Sequence, residues 1–236
     1  MDYVNTSDTK YINISNMKLL SLPLILRFEN LQIFSCDGNL LTSIPALPEN
    51  LKELYCSNNF LEKLPPLNKN LEILYCYKNS LTELPELDKL INLKKIACGY
   101  NKLTKLPNLP KNLINLYCHN NKITILPYLP SKLKELSCCN NNLSYLPLLP
   151  EKLFFIGCSN NPIYYIINAN NSQFIKNNVK KLIKFLTLFY CLKFKKKFNQ
   201  WLLKSQEKAI KKKYHPSNLI SYLDDNSELD QFLENW

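Results

Sequence analysis

Glycine is almost missing from this chain: 3 residues in 236, set against 14 prolines. Turns in such a sequence must come from asparagine and proline, which bend the backbone through a short amide side chain and a fixed φ. Arginine is scarcer still. Of the 30 basic residues only Arg27 carries a guanidinium, so the planar fork that reads base edges bidentately is absent from the lysine-rich stretches, which weakens any reading as a sequence-specific DNA binder. Long apolar runs are lacking too. Leu19–Leu26 and Leu182–Leu192 are too short to span a bilayer, and Lys184 interrupts the second. The start, MDYVNTSDTK, shows no basic stretch followed by an apolar run, so no secretory leader is expected. The protein is expected to be intracellular, with its 9 cysteines reduced.

What is present describes a folded protein. Hydrophobic residues make up 46% of the chain and mean hydropathy is -0.22, a composition that can bury a core. Asparagine, lysine, isoleucine and tyrosine are abundant while alanine is scarce, a bias that fits AT-rich coding and discounts part of the +11 net charge.

The ordering principle is a repeat. LYCSNN at 54–59 returns as LYCYKN at 74–79 and LYCHNN at 116–121. Cys36, Cys56, Cys76, Cys98, Cys118, Cys138 and Cys158 follow one another at spacings of 20, 20, 22, 20, 20 and 20. Aligned on them, the unit reads L-x-x-L-x-C-x-x-N-x-L-x-x-L-P-x-L-P-x-x. Position nine is always asparagine, from Asn39 to Asn161, and position one is always leucine, from Leu31 to Leu153. A degenerate leading copy runs from Thr9 to Asn30, keeping Leu19, Leu22 and Pro23 without the cysteine. Alternation in L-x-x-L-x-C predicts a short strand with one buried face. The prolines that follow exclude a helix, so the return side of each coil is expected to be extended. A single copy cannot offset the ordering entropy of its residues, roughly 1–2 kcal/mol each, and stacking is required.

The unit resembles the leucine-rich repeat in its short 20-residue form, whose Leu-Pro-x-Leu-Pro segment appears as LPNLP at 106–110 and LPYLP at 126–130. The resemblance implies an α/β leucine-rich-repeat solenoid: a right-handed horseshoe with a parallel concave sheet, an extended convex side and an all-α C-terminal cap. Residues 1–30 would form the N-terminal cap with the degenerate repeat, 31–167 the seven-repeat solenoid and 168–236 the helical cap. Cysteine at position six is read as a small buried hydrophobe. Neighbours one strand spacing apart, roughly 4.8 Å, are too far for an unstrained disulfide, and a line of thiols does not converge on a metal. The asparagine at nine turns the chain and can satisfy the backbone of the adjacent coil.

If positions four and six face inward, positions three, five and seven line the concavity. Tyr55, Tyr75, Tyr77, Tyr117 and His119 then form a patch with Glu53, Lys95 and Glu135 beside it. Tyrosines give rigid apolar area with a hydroxyl, the usual material of binding hot spots. His119 and Cys139 share position seven on adjacent repeats, but no orienting third group accompanies them, and no catalysis or metal site is assigned. The expectation is a monomeric, non-enzymatic module that binds a protein partner, without a cofactor.

After NANNS (168–172) the spacing of Val179, Leu182, Ile183, Leu186 and Phe189, then Phe194, Phe198, Trp201 and Leu202, predicts helices. Pro216 breaks the pattern, and Ser227 with Asp230 reads as a capping box for a last short helix. Residues 176–213 hold 13 lysines and one acid, whereas 214–236 hold five acids and no basic residue other than His215. Lys193, Lys195, Lys196 and Lys197, interleaved with aromatics in KFKKKF, offer an alternative function: binding of nucleic acid or an acidic membrane surface. The plainer reading is a solvated helix face. Bacterial effectors with this repeat form often carry a ubiquitin-ligase domain after it. Here the remaining segment is far too short and the lone Cys191 lacks the Cys-x-Asp context, so that activity is not carried over. The cysteine ladder, the Lys/Asn bias and the tail YHP…LDQFLENW further resemble the leucine-rich-repeat proteins of giant DNA viruses of amoebae, mimivirus-like, which implies a viral protein in a host cytoplasm. The alternative has a direct test: retention on nucleic acid or acidic liposomes should fall steeply with salt, and absent or salt-independent retention removes it.

Overall fold

The structure is a computed structural model describing residues 8–162; the helical cap expected over 168–236 lies outside them. Eight three-residue strands form one parallel sheet in chain order: β1 (Tyr11–Asn13), β2 (Ile33–Ser35), β3 (Glu53–Tyr55), β4 (Ile73–Tyr75), β5 (Lys95–Ala97), β6 (Asn115–Tyr117), β7 (Glu135–Ser137) and β8 (Phe155–Gly157). A 3₁₀ turn at Ile25–Arg27 lies between β1 and β2. Among the described residues no helix is long and apolar enough to cross a membrane. The helical half of an α/β assignment is thus not supplied by the coils themselves. Their return sides carry the proline pairs of Leu-Pro-x-Leu-Pro, which have neither the amide hydrogens nor the steric room for helix.

Strict register follows from strict repetition. Equivalent residues pair from strand to strand, as in Glu53↔Ile73 and Leu54↔Leu74, and every strand from β2 to β8 has a buried centre between half-buried flanks. The degenerate leading copy contributes β1, which sets Ile12 opposite Phe34 and therefore Ile14 in the frame of the cysteines. Each later strand is entered through a tight turn. The amide of Leu51 donates to Pro48 O, and those of Leu113, Leu133 and Leu153 donate to Pro110, Pro130 and Pro150 O, proline having preset φ for the bend.

The core is a stack of like residues. Leu31, Leu51, Leu71, Leu93, Leu113 and Leu133 are fully buried, as are Leu54, Leu74 and Leu116 three residues further along their coils. All seven repeat cysteines have no exposed surface and are free thiols. Burial pushes the thiols of Cys36, Cys98 and Cys158 up to about 12, and those of Cys56, Cys76, Cys118 and Cys138 well above the ordinary thiol range. They are small apolar fillers, since reactivity belongs to the thiolate.

Asparagine at position nine ties the coils together. Asn101 Nδ2 donates to Cys76 O of the preceding coil at 3.0 Å and to Cys98 and Gly99 O of its own coil at 3.1 and 3.2 Å. Its Oδ1 accepts from the Leu81 amide, again in the preceding coil, at 2.9 Å. Asn59, Asn79, Asn121, Asn141 and Asn161 repeat the pattern. The residue before each asparagine has positive φ: Gly38 at 66°, then Asn58, Lys78, Tyr100, Asn120, Asn140 and Asn160 at 51–57°. This left-handed step turns the amide inward, and asparagine tolerates it better than other chiral residues. A second asparagine ladder runs along the opposite corner. Asn50, Asn70, Asn92 and Asn112 each donate to a backbone carbonyl of the previous coil, at Glu29, Glu49, Lys69 and Ile91.

Removing the Asn101 rung strands the Leu81 amide, worth about 1–3 kcal/mol when left without a partner in the interior. It also takes one donor each from the Cys76 and Cys98 carbonyls, while Gly99 O keeps the Lys78 amide. Asn101→Ala is expected to lower the unfolding free energy by about 3 kcal/mol or more. Asn101→Asp should cost more, because it aims a carboxylate at three carbonyl oxygens. Urea titration measures both, and a loss under about 1 kcal/mol would show that the rung carries little.

Candidate functional site

The open face of the sheet is built by positions three, five and seven. Register sets Ser35, Tyr55, Tyr75, Ala97, Tyr117, Ser137 and Gly157 in one row, each half-buried. Tyr55 and Tyr75 meet edge to face with centroids 5.2 Å apart, a favoured geometry for ring quadrupoles. The row is interrupted at Ala97. Lys95 occupies that interval, its Nζ lying 5.2 Å from the Tyr75 ring centre and 5.8 Å from that of Tyr117. Tyr55 and Tyr117 are held from the flanks: the Tyr55 hydroxyl donates to Glu53 Oε2 at 2.7 Å, and that of Tyr117 donates to Glu135 Oε2. Burial first, and then the adjacent Glu135 carboxylate, pushes the Tyr117 hydroxyl up to about 12. Burial and Glu53 push Tyr55 up likewise.

His119 and Tyr77 belong to a second cluster, along position seven. Tyr77, Tyr100 and His119 form a triangle of rings with centroid separations of 5.0, 5.8 and 5.6 Å. Gly99 makes room for it, since a Cβ there would lie 3.0 Å from His119 Cε1 and Nε2. His119 Nδ1 also shares a 3.3 Å hydrogen bond with Ser137 Oγ. His119 is thus engaged by Ser137 and two tyrosine rings, while Cys139 packs close to Gly157, where an added Cβ would lie 3.0 Å from its Sγ. Among the described residues no group of three or more His, Cys, Asp or Glu side chains is placed to hold a metal.

The five patch residues thus divide. Tyr55, Tyr75 and Tyr117 share one row with Lys95, and Tyr77 with His119 sits beside it around Tyr100. Tyr100 is the member that repeat logic passes over. It stands at the left-handed position that asparagine or glycine takes in most coils, with φ 51°, a backbone choice that costs a tyrosine roughly 1–2 kcal/mol. An aromatic at that position was the available signal. A third group lies toward the first coils: Asp37 Oδ2 accepts from Ser35 Oγ at 3.4 Å, Ser35 Oγ is 2.8 Å from Ser15 Oγ, and Asp37 Oδ1 accepts the Ser57 amide. Burial holds the Asp37 carboxyl above its usual range against these hydrogen bonds. Lys193, Lys195, Lys196 and Lys197 fall outside the described residues.

A parallel sheet of three-residue strands, one per 20-residue coil, with leucine core and asparagine rungs defines a leucine-rich-repeat solenoid. Residues 69–111 match the family model described as leucine rich repeats in two copies. Among solved structures the chain is similar to YopM from Yersinia enterocolitica WA-314, with 37% identity, TM-score 0.63, and coverage of 65% of this chain and 34% of that one. It is also similar to YopM from Yersinia pestis, a leucine-rich effector protein, with 34% identity, TM-score 0.56, and coverage of 63% and 48%. The chain thus spans about a third to a half of the length of these structures. A chain in the octameric complex of latrophilin 3, Unc5D and the leucine-rich repeats of FLRT2 shares the fold at 21% identity and TM-score 0.50, over 66% of this chain and 68% of that one. No curated protein matches by sequence.

Burial lowers the His119 pKa below its ordinary value, so folding favours the neutral ring. Its contribution is intact above the unfolded pKa of about 6.5 and is lost as pH falls through the lower folded value. Stability should therefore decline below about pH 6.5 with a component that His119→Gln removes. Urea midpoints from pH 7.5 to 5 measure this, and an identical decline in the variant would assign it to other groups.

Proposed function

We propose that the protein is a non-enzymatic module that binds a protein partner on the open, concave face of its solenoid. The observation that carries this is the row of half-buried tyrosines. Tyr55, Tyr75 and Tyr117 are braced by Glu53, Glu135, Lys95 and the Tyr55–Tyr75 ring contact, and braced rings lose little side-chain entropy on binding. Tyr77, Tyr100 and His119 widen the same surface. Repeat solenoids use such faces for binding; YopM is an effector and FLRT2 acts within a complex of three proteins. The resemblance to leucine-rich-repeat proteins of giant amoebal viruses adds a host-cell setting to the reading, with a host protein as partner.

The face should be separable from the fold. Tyr75→Ala with Tyr117→Ala removes ring area from the surface without touching the leucine core, so the melting temperature should move by only a few degrees. Capture of a partner from host-cell extract should fall at least tenfold, as expected for removal of two hot-spot side chains. Undiminished capture by the folded double variant would place binding elsewhere.

A further inference from the structure

Position three adds a charge pattern to the tyrosine row. Register sets Glu53, Ile73, Lys95, Asn115 and Glu135 side by side across the sheet, giving acid, base and acid at intervals of two strands, about 10 Å. The two outer carboxylates are engaged by the hydroxyls of Tyr55 and Tyr117, which fixes where their charge sits. Lys95 differs. Among the described residues it has no carboxylate partner, whereas the ion pairs that do form join Lys63 to Glu83, Lys89 to Glu86 and Lys94 to Glu72. Its ammonium rests on two ring faces, an arrangement that orients a cation while leaving its hydrogen-bond donors for another group.

Building on the proposed binding face, we infer that Lys95 anchors a single carboxylate of the partner, carried on an extended proline-rich segment that crosses the strands. A polyanion does not fit: Glu53 and Glu135 flank the lysine and would repel successive phosphates. A lone acid with a base on either side does fit. In polyproline II conformation residues three apart lie on the same side and are separated by about 9.3 Å, close to the two-strand interval from Lys95 to either glutamate. Aromatic-lined surfaces are also the usual docking sites for such segments. The recognised pattern is therefore basic-x-x-acidic-x-x-basic, its prolines lying on Tyr75 and Tyr117.

The probe is the labelled peptide Lys-Pro-Pro-Glu-Pro-Pro-Lys, compared with a Gln-centred twin and the charge-reversed Glu-Pro-Pro-Lys-Pro-Pro-Glu, by fluorescence anisotropy on the full chain. Wild type should bind the Glu-centred peptide at least tenfold more tightly than the other two. Lys95→Met, which keeps the stem against the rings, should bind the Glu and Gln peptides equally, and Lys95→Arg should restore the preference. Lack of a Glu-over-Gln preference in wild type, including lack of any binding at millimolar peptide, overturns the anchor, as does a preference that survives Lys95→Met. The Tyr75→Ala, Tyr117→Ala variant separates the two layers of the proposal. If both peptides bind wild type equally and this variant loses them, the face stands and the anchor falls. If this variant binds all peptides as wild type does, the face falls as well.

Discussion

Everything in this molecule depends on a buried amide that reaches backwards. Each position-nine asparagine uses its two N–H groups on carbonyls of two successive coils and its oxygen on a backbone amide of the earlier one. Buried side-chain groups that lack partners are costly, and among the described residues no buried side-chain nitrogen or oxygen is left without one. The leucines supply the drive to stack. The asparagines supply the register, because an amide displaced by one residue would meet nothing. Exposed ion pairs such as Lys94–Glu72 add little to either.

Register is what makes a surface out of separate coils. Seven parallel strands with identical phase bring residues about twenty apart in sequence into a single row, so a single coil with small residues alters the whole face. The coil of β5 carries Ala97 and Gly99 where its neighbours carry Tyr75, Tyr77, Tyr117 and His119. The vacated space takes the Lys95 ammonium at one position and the His119 ring at the other. Two side-chain deletions thus organise both aromatic clusters.

Much of this is legible in the letters, for a physical reason: repetition converts a weak local signal into a strong one. The burial of Cys36 to Cys158, the inward turn of Asn39 to Asn161 and the three rows of the open face all follow from the period and the two-residue alternation of a strand. Features that depend on where a side chain leans are not legible in that way. Tyr100 joins the rings through a left-handed backbone step that the period does not announce, and Lys95 comes to lie on two rings because Ala97 leaves the interval open. His119 and Cys139 share position seven on adjacent coils, and the His119 ring is engaged by Ser137 and the tyrosines. The corner ladder of Asn50, Asn70, Asn92 and Asn112 was visible as the N-L that opens most repeats, but its role needed the carbonyls of the neighbouring coil.

Because every rung points toward the N-terminus, the joints have a polarity in time as well as in space. A nascent coil leaving the ribosome still has an open amide at its eleventh position, and only the asparagine of the coil synthesised next can close it. The finished stack resembles courses of brick, each course locked by the one above. A stack that grew in chain order would expose a single unfinished joint at its newest end, with all older coils sealed.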